Sequence, residues 1–342
     1  MKTCLVTGGA GFIGSNFIHY MLGKRGDGVL LVNLDKLTYA GSLENLRDIE
    51  GDPRHVFVRG DICDGPLVAG LFARYDFDWV VNFAAESHVD RSFAHPERFA
   101  QTNVLGTVNL LQRTREAWCD PETGSWKPGR KYLQVSTDEV YGALGAEGFF
   151  TETTPLNPHS PYSASKASAD AFVQAFRDTC GMPVNITRCS NNYGPYQFPE
   201  KLIPLMIRTA MRHEPLPVYG DGLQIRDWLY VTDHCRAIDR VLTDGKPGEV
   251  YNVGGHNERS NLVIVQTILR QLRERLGDEA ISDSLIHHVA DRPGHDRRYG
   301  IDPAKIRRDL GWAPETAFEE GIAKTIDWYL DHGEWMNRVT LG

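Results

Sequence analysis

A tyrosine and a lysine lie four residues apart in the segment Tyr-Ser-Ala-Ser-Lys, as Tyr162 and Lys166. In a helix this spacing places both side chains on one face. A free tyrosine, with a pKa of about 10, is a poor base at neutral pH. A nearby ammonium group favours the phenolate and lowers that pKa. The pair could then take a proton from a substrate hydroxyl while a hydride leaves the same carbon. The same spacing also occurs in pairs on exposed helix surfaces.

Three consecutive polar residues, Thr137, Asp138 and Glu139, follow a predicted strand that ends at residue 136. Open α/β sheets bind ligands at the carboxyl ends of their strands, so these side chains are candidates for a site. Two adjacent carboxyl groups can serve as an acid and a base if their surroundings separate their pKa values. The alternative is an acidic turn that contacts only solvent.

A glycine-rich turn, Thr-Gly-Gly-Ala-Gly-Phe-Ile-Gly, joins the first predicted strand to the first predicted helix. Gly8 permits the tight turn, Gly11 allows the backbone to approach a pyrophosphate, and Gly14 lets the helix pack closely on the sheet. The helix N-terminus offers free N–H groups to phosphate oxygens. The turn predicts a dinucleotide site, and the alternative is a glycine turn that binds nothing.

An acidic residue, Asp35, ends the second predicted strand, at roughly the 20-residue distance expected for a ribose-binding carboxylate. Its carboxylate can accept hydrogen bonds from the adenosine ribose and would repel a 2′-phosphate. NAD is therefore expected rather than NADP. Asp61 and Ile62 follow the third strand and could contact the adenine, or belong to an ordinary loop.

Short apolar runs alternate with longer amphipathic segments in the first half of the chain. Strands are predicted over residues 3–7, 29–35, 56–59, 79–84, 132–136 and 184–188, and helices over 13–22, 96–118 and 161–179. Ser160 and Pro161 are typical of a helix start, and Gly181 of a helix end. The alternation predicts an α/β fold, a Rossmann-type doubly wound parallel sheet.

The composition changes after residue 192, where prolines, aromatic residues and arginines become common. We expect residues 1–190 to form the NAD-binding domain, with a returning strand near 249–255. Residues 191–342 are expected to form mainly a smaller, loop-rich, mixed α/β substrate-binding domain that is interleaved with the first. The polar segment 120–130 is expected to be a surface loop.

The overall composition excludes several classes of protein. The chain of 342 residues has a formal net charge of −8, so it is a poor general binder of nucleic acid. Its 6 cysteines include no Cys-x-x-Cys pair, which is typical of reduced cytoplasmic thiols and not of a disulfide framework or a zinc site. No signal-peptide pattern opens the sequence, and no apolar run approaches the ~18 residues of a membrane span. We therefore expect a cytoplasmic protein that binds neither nucleic acid nor membranes.

Nine motifs between Gly8 and Tyr299 are specific in combination: TGGAGFIGS, AAESHVDRS, STDEVYG, SPYSASKA, RCSNNYGPY, FPEKLIP, QIRDWLYV, YNVGGHNE and DRPGHDRRY. With them the chain resembles the extended short-chain dehydrogenase/reductases, and among these the dTDP-glucose 4,6-dehydratase family. Related 4-epimerases typically lack the Asp-Glu pair, and related GDP-mannose dehydratases usually carry Ser at the position of Asp138. Asp138 therefore favours the dTDP-glucose family.

The resemblance implies a lyase that acts on dTDP-glucose and uses bound NAD without net consumption. Tyr162 would take the O4 proton as hydride leaves C4, Glu139 would remove the C5 proton, and Asp138 would protonate the departing C6 hydroxyl. Thr137 would hold O4, and Lys166 would bind the nicotinamide ribose and adjust the pKa of Tyr162. Hydride would return to C6, giving dTDP-4-keto-6-deoxyglucose.

Further contacts carry over by motif, in two groups. The cofactor is expected to meet Phe12, Ile13, Lys36, Leu37, Thr38, Ala84, Ala85, Glu86, Thr102 and Asn192, beside Gly8, Gly11, Gly14, Asp35, Asp61, Ile62, Tyr162 and Lys166. The substrate is expected to meet Ser87, His88, Thr137, Asn191, Lys201, Leu202, Pro217, Tyr219, Arg226, Asn261, Arg292 and His295.

Several alternatives stay open. Arg226 could form a structural ion pair with Asp227 or Asp233. No metal is expected, because the histidines at 287, 288 and 295 lack metal-ligand spacing. Another nucleotide-sugar dehydratase or a 4-epimerase would share the NAD site and the Tyr–Lys pair. An NAD-sensing regulator would need only the glycine turn.

The resemblance also implies a homodimer, formed through the helices predicted over 96–118 and 160–179. The chain departs from the family in the short segment 143–149 and at its C-terminal end. Both departures bear on closure over the sugar and on assembly.

Overall fold

The computed structural model describes residues 1–291 and 295–341 of the chain. In that part of the chain the strands are β1 (Lys2–Thr7), β2 (Val29–Asp35), β3 (His55–Arg59), β4 (Trp79–Asn82), β5 (Lys131–Thr137), β6 (Val184–Cys189), β7 (Asn191–Tyr193), β8 (Leu216–Tyr219), β9 (Ile225–Tyr230), β10 (Val250–Val253), β11 (Glu258–Ser260) and β12 (Ile286–Val289). The α-helices are α1 (Phe12–Arg25), α2 (Gly65–Arg74), α3 (Val89–Ala94), α4 (Pro96–Phe99), α5 (Thr107–Trp118), α6 (Pro161–Cys180), α7 (Leu202–Ala210), α8 (Val231–Asp244), α9 (Asn261–Leu276), α10 (Ala304–Leu310), α11 (Phe318–Asp331) and α12 (Gly333–Leu341).

Seven parallel strands form the central sheet, in the order β10-β6-β5-β4-β1-β2-β3. Six of them correspond to the six predicted strands, with ends that differ by one or two residues, so the Rossmann-type prediction is confirmed. The chain reverses its direction of winding between β1 and β4. In open α/β sheets a ligand crevice forms at such a reversal, outside the carboxyl ends of the strands.

Helices cover both faces of this sheet, which is why its strands are apolar on nearly every residue. On one face, α1, α8 and α10 pack against the sheet and bury residues such as Phe17, Ile238 and Ile306. On the other face, α2, α5 and α6 bury residues such as Leu110 and Val173. Full burial of each such side chain contributes about 1.5–3 kcal/mol, so the two apolar layers hold the sheet edge in a fixed position.

The helix that carries the Tyr–Lys pair begins and ends where the sequence predicts. Ser160 and Ser163 form a reciprocal capping box at the start of α6, and Pro161 occupies the first turn. Gly181 ends the helix in the left-handed conformation, with φ of 67°. Both termini are therefore satisfied locally.

The helix predicted over residues 96–118 is confirmed at both ends, because the chain is helical without a break from Pro96 to Trp118, but its middle is not an α-helix. A π-helix, Ala100–Gly106, separates α4 from α5, and α3 precedes them as an unpredicted short helix. The Asn103 amide accepts from the Glu86 N–H at 2.8 Å and donates to the Ser165 hydroxyl at 2.8 Å. Gly106 faces Ile62 so closely that an added Cβ would lie 2.5 Å from its side chain. These tertiary contacts leave no trace in the apolar periodicity of the sequence.

The remaining elements form a second layer beside the carboxyl ends of the sheet. A three-stranded sheet, β11-β9-β7, and a two-stranded sheet, β12-β8, lie there. Helices α7, α9, α11 and α12 share a core with them that includes Tyr193, Trp228 and Tyr329. This region is more helical than the loop-rich region that its prolines predict. Within the described residues, no helix is both long and apolar enough to cross a membrane.

Candidate active site

A cavity of about 330 Å³ opens at the carboxyl ends of the central strands. It brings together most of the residues singled out in the sequence: Gly8, Gly11, Phe12, Ile13, Gly14, Asp35, Lys36, Thr38, Asp61, Ile62, Ala84, Ala85, Glu86, Ser87, Thr102, Thr137, Asp138, Glu139, Tyr162, Lys166, Asn191, Asn192 and Lys201. The glycine turn and the Tyr–Lys pair therefore face one continuous space.

The glycine turn is tightly packed at two of its glycines and less tightly packed at a third. Gly8 has φ of 71°, and an added Cβ would lie 2.6 Å from the backbone nitrogen of Ala84. A Cβ on Gly14 would strike the carbonyl oxygen of Gly8. At Gly11, by contrast, the nearest atom would be 3.3 Å away, again the Gly8 oxygen. The surface of Gly11 is thus accessible from the cavity, at the N-terminus of α1, where a pyrophosphate can accept N–H groups.

Asp35 closes the same end of the cavity. Its carboxylate accepts from the Ala10 N–H at 2.9 Å and from the Leu37 N–H at 2.7 Å. Burial raises the pKa of this carboxyl, and those two backbone hydrogen bonds oppose the shift. Nearby, Lys36 forms an ion pair with Asp61 at 2.6 Å.

Thr137 ends β5, and Asp138 and Glu139 begin the tight turn Asp138–Tyr141 that follows it; all three line the cavity. Asp138 is only 1% exposed. Its Oδ1 accepts from the Thr137 hydroxyl at 3.3 Å, and its Oδ2 has no hydrogen-bond partner among the described residues. Burial, reinforced by the charges of Glu139 and Asp227, raises the pKa of Asp138 well above its usual range. A solvated acidic turn does not fit this environment.

Tyr162 and Lys166 are both buried at the start of α6. The Lys166 ammonium donates to the Val135 carbonyl at 2.7 Å. Burial lowers the pKa of Lys166. The pKa of Tyr162 lies well above its usual value, because burial and the charge of Glu139 disfavour the phenolate. The sequence therefore predicts a lowered pKa for Tyr162, whereas its surroundings in the protein raise that pKa. A cationic ligand in the cavity would favour the phenolate.

Several lining residues escaped the sequence reasoning: Ser136, Cys189, Ser190, Gln197 and Phe198. Cys189 ends β6, the neighbour of β5, and Ser190 directly follows it, so the carboxyl-end rule could have found both residues. Gln197 is 9% exposed, donates to the Asn192 carbonyl at 3.0 Å, and has no partner for Oε1 in the described part of the chain. Nothing in its local sequence marks it as a site residue.

The remaining predicted residues lie away from this lining. Leu37 and Leu202 are next to it in sequence, and His88 contacts Glu200 at 3.6 Å. Pro217 and Tyr219 lie on β8, Asn261 begins α9, and Tyr219 packs edge-on against His295. Arg292 lies outside the described residues.

Arg226 is buried on β9 and donates to the carbonyls of Ile225 and Asp296 at 2.8 and 3.0 Å. Its guanidinium lies 4.2 Å from the centre of the Tyr299 ring. Asp233, one of the partners considered for it, pairs with Arg236 at 2.7 Å. In residues 1–291 and 295–341, no group of three or more His, Cys, Asp and Glu residues has the arrangement of a metal site.

Comparison with known proteins identifies first the class of protein to which the chain belongs and then its family within that class. A family model described as GDP-mannose 4,6 dehydratase matches residues 5–325 of the chain. A curated dTDP-glucose 4,6-dehydratase from Xanthomonas campestris pv. campestris (strain B100) is 56% identical over 346 residues, which cover 100% of this chain and 97% of the relative. The chain therefore belongs to the dTDP-glucose 4,6-dehydratase family.

Solved structures agree with this assignment. The dTDP-glucose 4,6-dehydratase from Bacillus anthracis, in complex with NAD, superposes with a TM-score of 0.88 at 47% identity and covers 99% of this chain and 100% of its own. The enzyme from Streptomyces venezuelae, with NAD and dTDP bound, gives a TM-score of 0.90 at 45% identity and covers 98% of this chain and 99% of its own. The resemblance inferred from the motifs is confirmed.

Proposed function

We propose that this protein converts dTDP-glucose into dTDP-4-keto-6-deoxyglucose by removing water across C5 and C6. The observation that carries the proposal is the single cavity shared by a dinucleotide turn, a Tyr–Lys pair and an adjacent Asp–Glu pair. An epimerase or a sensor does not need the two carboxyl groups. A dehydratase needs a base for C5 and an acid for the C6 hydroxyl.

The residues present fit NAD. Gly8 and Gly14 are in close contact with the backbone, whereas Gly11 leaves room at the N-terminus of α1 for a pyrophosphate. Asp35 can accept hydrogen bonds from a ribose hydroxyl and would repel a 2′-phosphate. When bound, NAD supplies the hydride acceptor for C4 and the hydride donor for C6. We assign its contacts to the glycine turn, to Asp35 with its neighbours at 36–38, and to the lining residues at 61–62, 84–86, 102, 162, 166 and 192.

The first proton transfer belongs to Tyr162. Its hydroxyl faces the cavity from the first turn of α6 and takes the O4 proton of the sugar. Thr137 orients O4 by a hydrogen bond. Lys166, four residues further along the same helix face, favours the phenolate and binds the nicotinamide ribose.

The two carboxyl groups then divide the elimination between them. The 4-ketone acidifies the C5 proton, which Glu139 removes. Asp138 is buried, and burial raises its pKa and so favours its protonated form, which can donate a proton to the departing C6 hydroxyl as water leaves. Glu139 is more exposed than Asp138, and this difference of environment is what separates the base from the acid.

The substrate contacts proposed beside Thr137 are Ser87, His88, Asn191, Lys201, Leu202, Pro217, Tyr219, Arg226, Asn261, Arg292 and His295. Among them, the arginine side chains can bind the phosphate oxygens of the nucleotide. We also propose a homodimer in the cytoplasm. Phe93, Leu105 and Phe172 are exposed apolar side chains on α3, the π-helix and α6, and all 6 cysteines are free thiols. Light scattering of the purified protein would check the dimer.

An isotope experiment tests the proposed function directly. Purified protein is given dTDP-glucose that carries deuterium at C4, with no added NAD. The proposal predicts that the deuterium appears at C6 of a 4-keto-6-deoxy product. Inversion at C4 without loss of water would identify an epimerase, and loss of the deuterium to solvent would contradict hydride return.

A further inference from the structure

A buried ion pair joins the helix of Tyr162 and Lys166 to the central sheet. Asp170 on α6 is 0% exposed and Arg188 on β6 is 2% exposed. The Arg188 Nε atom donates to Asp170 Oδ2 at 2.9 Å. Burial of two opposite charges is costly, and replacing such a pair by apolar residues is often neutral or stabilising. Its presence here therefore calls for a role beyond packing.

The position of Asp170 on its helix suggests that role. Asp170 lies four residues beyond Lys166, which lies four residues beyond Tyr162. The spacing places all three on one face of α6, and all three are buried. The charge of Asp170 raises the pKa of Lys166 against the burial that lowers it.

Among the described residues, the other elements around Lys166 supply no second carboxylate that raises its pKa. Cys189, at the end of β6, raises the pKa of Lys166 less than Asp170 does. Burial raises the pKa of the Cys189 thiol itself to about 12. Glu139, after β5, acts on Tyr162 and disfavours its phenolate, and Asp138 does so only when it is ionised. The π-helix carries no titratable residue. The charged residues on the other helices packed against α6 are half-buried or exposed: Asp90, Arg91, Glu97, Arg98, Arg113, Arg115 and Glu116.

We propose that Asp170, fixed by Arg188, is a positioning residue that keeps Lys166 cationic beside Tyr162. Arg188 also donates to the Tyr141 hydroxyl at 2.9 Å, and Tyr141 donates to Asn252 Oδ1 at 2.8 Å. The carboxylate is thus anchored through β6, β10 and the turn after β5. The inference rests on the proposed function for its meaning, because a cationic Lys166 favours the Tyr162 phenolate that takes the O4 proton.

The first test needs no substrate. The holoenzyme is titrated with base, and its tyrosinate absorbance is compared with that of the Tyr162→Phe variant, so that the difference reports Tyr162. In Asp170→Asn, Lys166 loses its proton at lower pH, and Tyr162 then ionises about one pH unit or more higher than in the wild type. Because Asp170→Asn leaves the Arg188 charge unpaired, the double variant Asp170→Asn/Arg188→Met is measured as well. We expect a smaller shift in the same direction.

Asp239→Asn is the matched control. Asp239 is 1% exposed and pairs with Lys24 at 2.8 Å and with Arg25, between α1 and α8. Losing this pair should lower thermal stability and leave the Tyr162 titration unchanged.

The second test follows C4 oxidation of dTDP-glucose as a function of pH. In Asp170→Asn, the alkaline limb of the pH–rate profile should move to lower pH. At one pH unit above the wild-type limb, the rate of the variant should be about tenfold lower than that of the wild type. If the wild-type protein forms no product from dTDP-glucose, the proposed function is refuted. The tyrosinate titration, which needs no substrate, then decides this inference. Folded Asp170 variants whose Tyr162 titration and alkaline limb match the wild type would overturn it, and the pair would then only tie α6 to the sheet.

Discussion

Replacing Asp138 by Asn separates the two chemical stages of the reaction. The amide has nearly the same shape as the carboxylic acid and can still accept from the Thr137 hydroxyl, which lies 3.3 Å from Oδ1. It cannot donate the acidic proton that the C6 hydroxyl needs in order to leave as water. Tyr162 and Thr137 are untouched, so oxidation at C4 should persist while elimination slows.

The size of the effect follows from the role. A positioned general acid contributes about 10²–10⁴-fold to a rate, equal to about 2.7–5.5 kcal/mol of barrier. Asp138→Asn should slow elimination by that factor and C4 oxidation by less than about tenfold. Rapid mixing with dTDP-glucose should therefore give a rise in reduced-nicotinamide absorbance that persists, with little product. Tyr162→Phe is the contrast, because it should suppress the rise itself.

Stability provides an independent readout of the same carboxyl. Its folded-state pKa is raised above the ordinary value of 3.8, so the folded protein binds a proton that the unfolded chain has already lost. The free energy of unfolding therefore falls as pH rises above that value, by about 1.4 kcal/mol for each pH unit between the two pKa values. Asparagine has no proton to bind, so the variant should be more stable than the wild type at pH 7 and equal to it in acid. Equal loss of both chemical stages, together with identical pH profiles of unfolding, would refute the acid role.

Three further predictions concern the cofactor end and the first step. Tyr162→Phe should lower the rate of C4 oxidation about 10²–10⁴-fold without loss of bound NAD, as measured by stopped-flow absorbance and by NAD content after gel filtration. Gly8→Ala should lower the free energy of unfolding by at least about 1–2 kcal/mol, because residue 8 has a left-handed conformation. Gly11→Ala should keep its stability, as measured by thermal unfolding, and should bind NAD less tightly, as measured by equilibrium dialysis. Asp35→Asn should reduce the preference for NAD over NADP by tenfold or more, since two charges about 4 Å apart interact by about 4 kcal/mol at an effective dielectric constant near 20; an unchanged preference would show that Asp35 does not face the 2′ position.

The strands and the site glycines could be predicted because their causes are local. Strands buried on both faces must be apolar at nearly every position, and Gly8 is required by its own backbone conformation. Ser160 and Gly181 define α6 through hydrogen bonds within a few residues. Such features can be recognised without knowing what packs against them.

The π-helix and the deeper part of the site could not be predicted, because contacts between distant segments produce them. Asn103 lies in the π-helical stretch of the predicted helix, and its side chain bonds to Glu86 and to Ser165, the latter 62 residues away. Likewise, the pKa of Tyr162 depends on burial and on Glu139, and not on its spacing from Lys166 alone. The pairing of Asp170 with Arg188 crosses from α6 to β6, and although Arg188 opens the motif RCSNNYGPY, nothing in the local sequence of either residue predicts the pair.

The product formed from dTDP-glucose by the purified protein tests the central claim most directly. Nuclear magnetic resonance of the reaction without added NAD should show a 4-keto group at C4 and a methyl group at C6, with the nucleotide intact. A C4 epimer that retains its C6 hydroxyl, or turnover of UDP-glucose or GDP-mannose with none of dTDP-glucose, would contradict the account.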